Sequence, residues 1–147
     1  MNKIDLHYLA GFFDGEGYIG LHKHKDNRVK KGFTINAMVG ITNTNKAILE
    51  QIRHTLPYGK IRKKSETKNN KIVYELIVQD LHGIESFLGH IRYDLIVKRK
   101  RAELMLKFCN LRKEFIDYTP AQMIIVNRIR KLNQRGKEVL GILPNFI

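Results

Sequence analysis

An apolar segment near the start of the chain ends in glycines and carboxylates and passes directly into a strand-like pattern. On a helical wheel of about 100° per residue, this segment is apolar on two opposite sides. One side carries Leu6, Leu9, Ala10 and Phe13, and the other carries Ile4, Tyr8, Gly11 and Gly15. A helix that is apolar on two sides must bury both of them, so the fold has to supply two neighbours.

The second apolar side predicts a contact between two copies of the chain. Gly11 and Gly15 stand four residues apart, a spacing that lets two backbones approach closely. Because the chain contains only one such helix, a second copy of it is the natural partner. We assign Tyr8, Gly11, Phe12 and Gly15 to this interface. The alternative is an internal neighbour that packs against the two glycines.

Asp14 and Glu16 lie where this helix ends, beside unpaired carbonyls and the negative end of the helix dipole. An anion is disfavoured there unless a cation compensates. Carboxylate and carbonyl oxygens suit a hard cation such as Mg²⁺, and pairing of two copies would increase the demand for one. The alternative is that both acids merely accept hydrogen bonds from local amides in a turn, an interpretation that suits Asp14 better than Glu16.

The charge of the chain favours a polyanionic partner. Lys and Arg total 27 against 14 acids, a net charge of +13, which points to nucleic acid. No stretch approaches the roughly 18 apolar residues of a membrane-spanning helix, and no signal pattern appears, so we expect an intracellular protein without a membrane partner. The 147 residues suit a single domain, 1–147, with a tail at about 136–147.

Hairpins and helices alternate along the rest of the chain. We predict a hairpin of strands 18–25 and 33–42, a helix ended by Pro57, a second hairpin from Lys60 to Val78, a short helix capped by Asp80, a basic helix from about Ile96 to Lys113, and a last helix from Thr119 to Gly136. This order indicates an α+β domain with a mixed or antiparallel sheet.

If the apolar faces of both hairpins pack on the helices, the opposite faces carry side chains that can read DNA. Arg and Lys suit guanine edges, Asn suits adenine, Glu can accept from cytosine, and a two-stranded ribbon fits the major groove. The predicted DNA-binding residues of the strands, their turns and the basic helix are His22, His24, Arg28, Lys30, Thr34, Asn36, Met38, Lys60, Arg62, Lys64, Val73, Glu75, Ile77 and Lys100. A merely solvated face is the alternative, but two hairpins agree. His22 and His24 could instead bind a metal, although no third ligand stands beside them.

Residues Leu9 to Gly17, LAGFFDGEG, resemble the LAGLIDADG motif of the homing endonucleases named after it. The order of hairpin, helix, hairpin and basic helix agrees, so the resemblance covers about residues 4–135. It implies the fold of that family, αββαββα, with a saddle-shaped antiparallel sheet and helices on one face. A single motif is similar to the homodimeric branch, which implies a homodimer on a long, near-palindromic site in double-stranded DNA.

The resemblance also implies roles for single residues and a reaction. Glu16 would bind the metal with help from the Gly15 carbonyl, Asn43 would position the attacking water, and Lys98 would stabilise charge near the scissile phosphate. Asn43 is shorter than the Gln usual at its position, and Lys98 could instead contact only backbone phosphates. The reaction implied is Mg²⁺-dependent hydrolysis of one phosphodiester in each strand, with Ca²⁺ as a substitute that does not support cleavage.

The alternative within the same fold is an RNA maturase or a DNA-binding protein that does not cleave. Loss of the motif acids often accompanies that change in the family, whereas Glu16 is present here. The lack of intein-like splicing segments favours an intron-encoded, free-standing protein. We expect it in an organelle, mitochondrion or chloroplast, or in a prokaryotic cytoplasm.

Overall fold

The computed structural model describes residues 2–66, 68, 71–114 and 117–134. The elements are α1 (Leu6–Glu16), β1 (Gly17–Lys25), β2 (Phe33–Asn43), α2 (Lys46–Thr55), β3 (Lys60–Glu66), β4 (Ile72–Val78), α3 (Leu81–Ile91), a 3₁₀ turn (Arg92–Asp94), α4 (Arg99–Glu114) and α5 (Pro120–Leu132). The predicted tail of residues 136–147 lies outside the described residues. The order of hairpins and helices is the predicted one.

The two hairpins form one antiparallel sheet with the strand order β1-β2-β4-β3. Within it, β2 pairs with β1 along nearly its whole length but with β4 only over Val39 to Asn43. The hairpins therefore meet at one end of the sheet, where Gly17 pairs with Ile41 and Asn43 with Tyr74. This is also the end at which α1 runs into β1. Of the two kinds of sheet that the sequence allowed, the chain forms the antiparallel one.

The core lies between the helices and one face of the sheet. The strands contribute Ile19, Leu21, Ile35, Ala37, Val39, Ile41, Leu76 and Val78, as their alternation predicts. From α1, Leu9, Ala10 and Phe13 are fully buried, and the Phe13 ring lies 5.7 Å from that of Phe87 in α3. The inward side of α1 is thus the predicted one, and the second face of the sheet lies outside the core.

Two helix boundaries differ from the prediction. The basic helix α4 begins at Arg99 and not at Ile96, and the amides of residues 96–98 that precede it bond to the Asp14 carboxylate. The last helix, α5, ends at Leu132, short of Gly136, which lies outside the described residues. The Asn133 side chain that follows α5 donates to the Ile19 carbonyl at 2.7 Å and so ties this helix to β1.

Aromatic and cationic side chains tie the first hairpin to the segment before α5. The rings of Phe33 and Tyr118 stack at 5.5 Å, with Lys23 Nζ 4.3 Å from the Phe33 ring and the Arg112 guanidinium 4.1 Å from the Tyr118 ring. The Tyr118 hydroxyl also accepts the Ile35 N–H at 2.9 Å. Ile35 belongs to the part of β2 that β4 does not reach, so Tyr118 takes the place of a strand partner there.

The helices contain no exposed thiol and no membrane span within the described residues. Cys109 is 1% exposed, and burial raises the pKa of its thiol to about 12, so it is the inert core side chain that its apolar helix suggests. No helix in the part of the chain that the structure describes is long and apolar enough to cross a membrane.

Two glycines with positive φ provide a matched test of the second hairpin. Gly59 (φ 80°) leads into β3, and a Cβ there would lie 2.3 Å from the Ile77 carbonyl oxygen. Gly32 (φ 77°) precedes β2, and a Cβ there meets nothing within 4 Å. We expect Gly32→Ala to lower the free energy of unfolding by about 1 to 2 kcal/mol through backbone strain. Gly59→Ala should cost at least about 1 kcal/mol more, because the steric clash adds to that strain.

Urea unfolding of both variants measures this difference, with an unchanged m-value as the sign that only stability has altered. Equal transition midpoints would show that the strand around Ile77 moves aside without cost.

Candidate functional site

Glu16 is an exposed carboxylate at the last residue of α1. It has no hydrogen bond or ion pair with any residue that the structure describes. The carbonyls of the last helical turn, Gly15 among them, have no partner further along the helix. A carboxylate and a carbonyl oxygen therefore stand together at the surface where α1 ends.

Asp14 has a different environment from Glu16, because it joins α1 to the start of α4. Its carboxylate accepts the backbone N–H groups of Ile96, Val97 and Lys98 at 2.7, 3.0 and 2.9 Å. Burial alone would raise the pKa of Asp14, but these donors and the Lys98 charge outweigh it and lower the pKa below its ordinary value. Asp14 is thus an ionised structural acid that accepts backbone amides, but these amides lie more than 80 residues away and not in a local turn, as the alternative interpretation expected.

Lys98 is held at the same helix end. Its side chain is 9% exposed, and its Nζ donates to the Asp14 carbonyl oxygen. The ammonium group therefore lies against the negative end of the α1 dipole, within two residues of Glu16 along that helix. That Lys98 and Glu16 belong to one catalytic site stays a prediction.

Asn43 is the last residue of β2 and lies at the end of the sheet where α1 runs into β1. Because Gly17 pairs with Ile41, Asn43 stands two residues beyond that pair, level with the last turn of the helix. Its Oδ1 accepts the Asn45 N–H at 2.7 Å, which begins the turn into α2 and leaves the Asn43 amide nitrogen as a donor. Its role in positioning water stays a prediction.

A cleft of about 630 Å³ opens beside this site, between the start of β1, the start of α4 and the end of α5. Lys98, Arg101 and Arg130 give it cationic walls, and His22 also lines it. Arg101 is fixed there by a 3.2 Å hydrogen bond to the Leu132 carbonyl. Sequence reasoning considered Arg101 only as part of the basic run Lys98 to Arg101 and missed Arg130, because only the packing of α5 on β1 brings Arg130 here and no local pattern indicates it.

The oxygen donors at the end of α1 fit a hard cation, but one protomer supplies only part of its ligand shell. No group of three His, Cys, Asp or Glu side chains that could hold a metal occurs among the described residues. The interpretation of His22 and His24 as metal ligands therefore lacks its third ligand here as well. Glu16 and the Gly15 carbonyl are donors of the kind that Mg²⁺ and Ca²⁺ take, with the rest of the shell left to waters, substrate or a second copy.

The open face of the sheet carries most of the predicted DNA-binding side chains. His22, His24, Arg28, Lys30, Asn36, Lys60, Arg62 and Lys64 are exposed, Thr34, Met38 and Val73 are half-buried, and Lys100 is exposed on α4. Three of these cations are already paired: Arg28 makes two side-chain hydrogen bonds to Asp26 at 3.0 and 3.1 Å, and Arg62 and Lys64 contact Glu75. The open face is cationic and lies outside the core.

Glu75 and Ile77 correct the prediction, because both are only 2% exposed. Glu75 is covered by its own partners, which include the Tyr18 hydroxyl at 2.7 Å and the Arg62 guanidinium at 2.8 Å. Ile77 pairs with Gly40, and the Tyr18 ring lies over that glycine, next to Ile77. Strand alternation places both on the open face, but it does not reveal that a tyrosine from another strand lies across them.

The outer side of α1 is open in the protomer. A Cβ added at Gly11 or Gly15 would meet nothing within 4 Å, which contradicts an internal neighbour among the described residues. Tyr8 is 55% exposed and its ring stacks at 6.1 Å on that of Phe12, which is half-buried. An apolar helix side with two notches thus faces outward.

The segment between α3 and α4 extends this apolar surface. It runs beside α1, to which it is fixed by His7 and Asp94 at 2.9 Å and by the Asp14 carboxylate. Ile96 and Val97, 86% and 68% exposed, lie on it. Large exposed apolar side chains beside an open helix face are typical of a protein interface.

Comparison with known proteins agrees with the motif and the fold. Residues 9–111 match the model of the family described as LAGLIDADG endonuclease. The archaeal intron-encoded homing endonuclease I-Vdi141I, solved in complex with DNA, has a TM-score of 0.77 at 19% identity over 89% of this chain and 85% of that chain. I-SmaMI, bound to an uncleaved DNA target in the presence of calcium ions, has a TM-score of 0.76 at 18% identity over 99% of this chain and 50% of that chain. The predicted fold is confirmed.

A curated relative matches this chain through only a small part of the relative's own length. It is the glutamine–fructose-6-phosphate aminotransferase (isomerizing) of Methanocaldococcus jannaschii, 28% identical over 112 residues. The match covers 71% of this chain but 9% of the relative, so this chain spans less than a tenth of that protein. We therefore attribute no aminotransferase activity to this chain.

Asp14→Asn tests the joint between α1 and α4. An amide cannot accept on both sides as a carboxylate does, so we expect a loss of about 2 kcal/mol in the free energy of unfolding at pH 7. The pKa of Asp14 is lower in the folded chain than its ordinary 3.8. Its stabilisation is therefore present above pH 3.8 and is lost as the pH falls through the folded pKa, so the two proteins should converge in acid.

Urea unfolding between pH 7 and pH 3 measures this convergence. Asp5→Asn is the matched control, because Asp5 caps the other end of α1 and Asn caps a helix equally well. A constant difference between wild type and Asp14→Asn at all pH values would contradict the assignment.

Proposed function

Because this chain belongs to the LAGLIDADG endonuclease family, we propose that it is a homodimeric, site-specific endonuclease that cleaves both strands of a long, near-palindromic DNA site by Mg²⁺-dependent hydrolysis. The observation that carries the proposal is the position of Glu16. It is an exposed carboxylate without a partner among the described residues, at the tip of a helix with an open apolar side and at the edge of a cationic sheet face. A protein that only binds nucleic acid has no need for an acid there.

The size and charge of the open face suit duplex DNA. Its strands β1 and β2 contain 9 and 11 residues. A strand of that length spans roughly 30 Å, which covers about nine base pairs at about 3.4 Å each, so a dimer would cover about twenty. The net charge of +13 adds the phosphate attraction that binding to a site of this length requires.

The outer side of α1 supports pairing of two copies. Gly11 and Gly15 leave room for a second backbone, and Tyr8, Ile96 and Val97 supply exposed apolar surface around them. This chain also matches only half of the chain of I-SmaMI, as one protomer of a pair would. A two-fold contact through α1 would bring two Glu16 carboxylates together, one for each DNA strand.

Glu16 and the Gly15 carbonyl would hold the metal in this proposal. When bound, Mg²⁺ supplies Lewis-acid polarisation of the phosphate and a lowered pKa of an attacking water. Lys98 faces the phosphate region with its charge fixed in advance by Asp14, so little reorganisation is needed as negative charge develops. The side-chain oxygen of Asn43 accepts the Asn45 N–H, so the amide nitrogen of the same side chain can donate to the water and orient it.

Glu16→Gln tests the catalytic assignment. We expect the rate of cleavage to fall about 1,000-fold or more, because a neutral amide is a poor ligand for a divalent cation. Binding in Ca²⁺ should stay within a few-fold of wild type. The substrate is a plasmid that carries the intronless allele of the host gene, followed by agarose gels for cleavage and gel shifts for binding.

Glu114→Gln is the matched control, since Glu114 is exposed at the far end of α4. It makes the same change of charge and should cleave as wild type does. Substantial cleavage by Glu16→Gln in Mg²⁺ would show that the metal ligand is another residue.

Gly11→Leu tests the dimer. A leucine at the notch should keep two helices apart, yet it has open space in the protomer, so we expect a folded monomer that binds DNA at least tenfold more weakly. Light scattering after size-exclusion chromatography measures the mass. Gly89→Leu on α3 is the control, because Gly89 is an equally open helical glycine. A dimeric Gly11→Leu with wild-type affinity would place the interface elsewhere.

A further inference from the structure

Glu75 is a buried carboxylate on the otherwise open face of the sheet. It is 2% exposed, and in the ladder it stands opposite Thr42 of β2 and Arg62 of β3. Its two oxygens bind the Tyr18 hydroxyl at 2.7 Å, the Arg62 guanidinium at 2.8 to 2.9 Å and the Lys64 ammonium at 3.3 Å. The reaction proposed above does not use this group, so its burial among cations needs another explanation.

The contact with Tyr18 depends on a glycine in the strand between them. Tyr18 pairs with Gly40, and a Cβ on Gly40 would lie 2.5 Å from the Tyr18 hydroxyl oxygen. Only a residue without a side chain lets the phenol cross β2 and reach the carboxylate on β4. Tyr18 also follows Glu16 by two residues, so one end of this network adjoins the proposed metal ligand.

The contacts with Arg62 and Lys64 come from the pairing and alternation of β3. Arg62 stands opposite Glu75, and Lys64, two residues further on, contacts the same carboxylate beside a register shift between Lys63 and Ser65. The Arg62 and Lys64 side chains remain 50% and 47% exposed. Each therefore keeps donors for a ligand on the open face, while its contact with the buried Glu75 fixes its position.

The charges of this network are stable near neutral pH. Burial would raise the pKa of Glu75, but the Tyr18 hydroxyl, Arg62 and Lys64 outweigh it and lower the pKa, so the carboxylate stays ionised. Burial and the adjacent Glu75 raise the pKa of Tyr18, so its hydroxyl stays protonated and continues to donate.

We propose that Glu75, anchored by Tyr18 across Gly40, is a positioning residue for DNA specificity, which holds Arg62 and Lys64 so that their remaining donors meet base edges and not phosphates. This inference rests on the proposed function. Long cationic side chains that are not held in place settle on phosphates, which attract them without regard to sequence. Discrimination between bases needs donors in fixed positions, and each well-placed pair is worth tenfold or more.

The test is Glu75→Gln, which keeps the size of the side chain and removes its charge. We measure the affinity for the duplex of the intronless host allele and for a scrambled duplex, each at several salt concentrations. The ratio of the two affinities should fall about tenfold, mainly through tighter binding of the scrambled duplex. The slope of log K against log salt for that duplex should steepen by about one for each cation that moves to a phosphate.

Two further variants separate positioning from stability. Glu114→Gln makes the same change of charge at a distance and should keep the wild-type ratio. Tyr18→Phe keeps the ring and removes only the hydroxyl, so it should lower the ratio in the same direction, by a smaller factor. A variant that is merely less stable loses active protein, which weakens binding to both duplexes equally and leaves their ratio unchanged.

The outcomes are distinct. Wild-type ratios in both Glu75→Gln and Tyr18→Phe overturn the inference and leave the endonuclease intact. If Glu75→Gln does not fold, the ratio for Tyr18→Phe decides alone. A wild-type protein that neither binds nor cleaves the host allele overturns the proposed function, and the inference with it.

Discussion

The site depends on three hydrogen bonds, which the backbone amides of residues 96–98 donate to the Asp14 carboxylate. An acid at the end of α1 is disfavoured by the unpaired carbonyls and the helix dipole there. The segment that leads into α4 offers what is missing, because its amides and the Lys98 ammonium are positive. Asp14 thus joins the negative end of α1 to this segment, and this joint places the Lys98 ammonium against the Asp14 carbonyl.

The two motif acids therefore have opposite environments although they are two residues apart. Asp14 has its hydrogen-bonding capacity filled by three amides, whereas Glu16 is exposed and has no partner among the described residues. Asp14 fixes the backbone from which the exposed Glu16 carboxylate projects. Neither acid accepts the local turn amides that the alternative interpretation required within the described residues, and the metal role of Glu16 stays a proposal.

The structural features that depend on local periodicity could be predicted from the sequence. The buried side of α1, the two hairpins, the helix cap at Asp80 and the start of the last helix near Thr119 follow from spacing and residue type, and the structure confirms them. The late start of α4 did not follow, because the amides that precede it bond to Asp14, more than 80 residues earlier. Contacts of this kind leave no trace in a window of ten or fifteen residues.

The burial of Glu75 and Ile77 escaped prediction for a related reason. Alternation assigns a residue to a face of the sheet but does not say which strand lies next to it. The order β1-β2-β4-β3 and the register Tyr18 to Gly40 are needed before the phenol is seen to cross the sheet. The sequence shows that Gly40 lies within a strand, but it does not show that the Tyr18 side chain crosses the strand at this glycine.

A protein with 27 basic residues has cations in excess for phosphate binding, so the problem for a sequence-specific protein is to restrain them. Several of its 14 acids restrain cations in the described part of the chain: Asp26 binds Arg28, Glu75 binds Arg62 and Lys64, and Asp14 holds Lys98 through its carboxylate and its carbonyl. Each pair lowers the net attraction for DNA slightly, but it removes rotamer freedom before the ligand arrives. Cations that are fixed in advance bind fewer arrangements of charge, so the scarce acids of this chain favour selectivity over strength of binding.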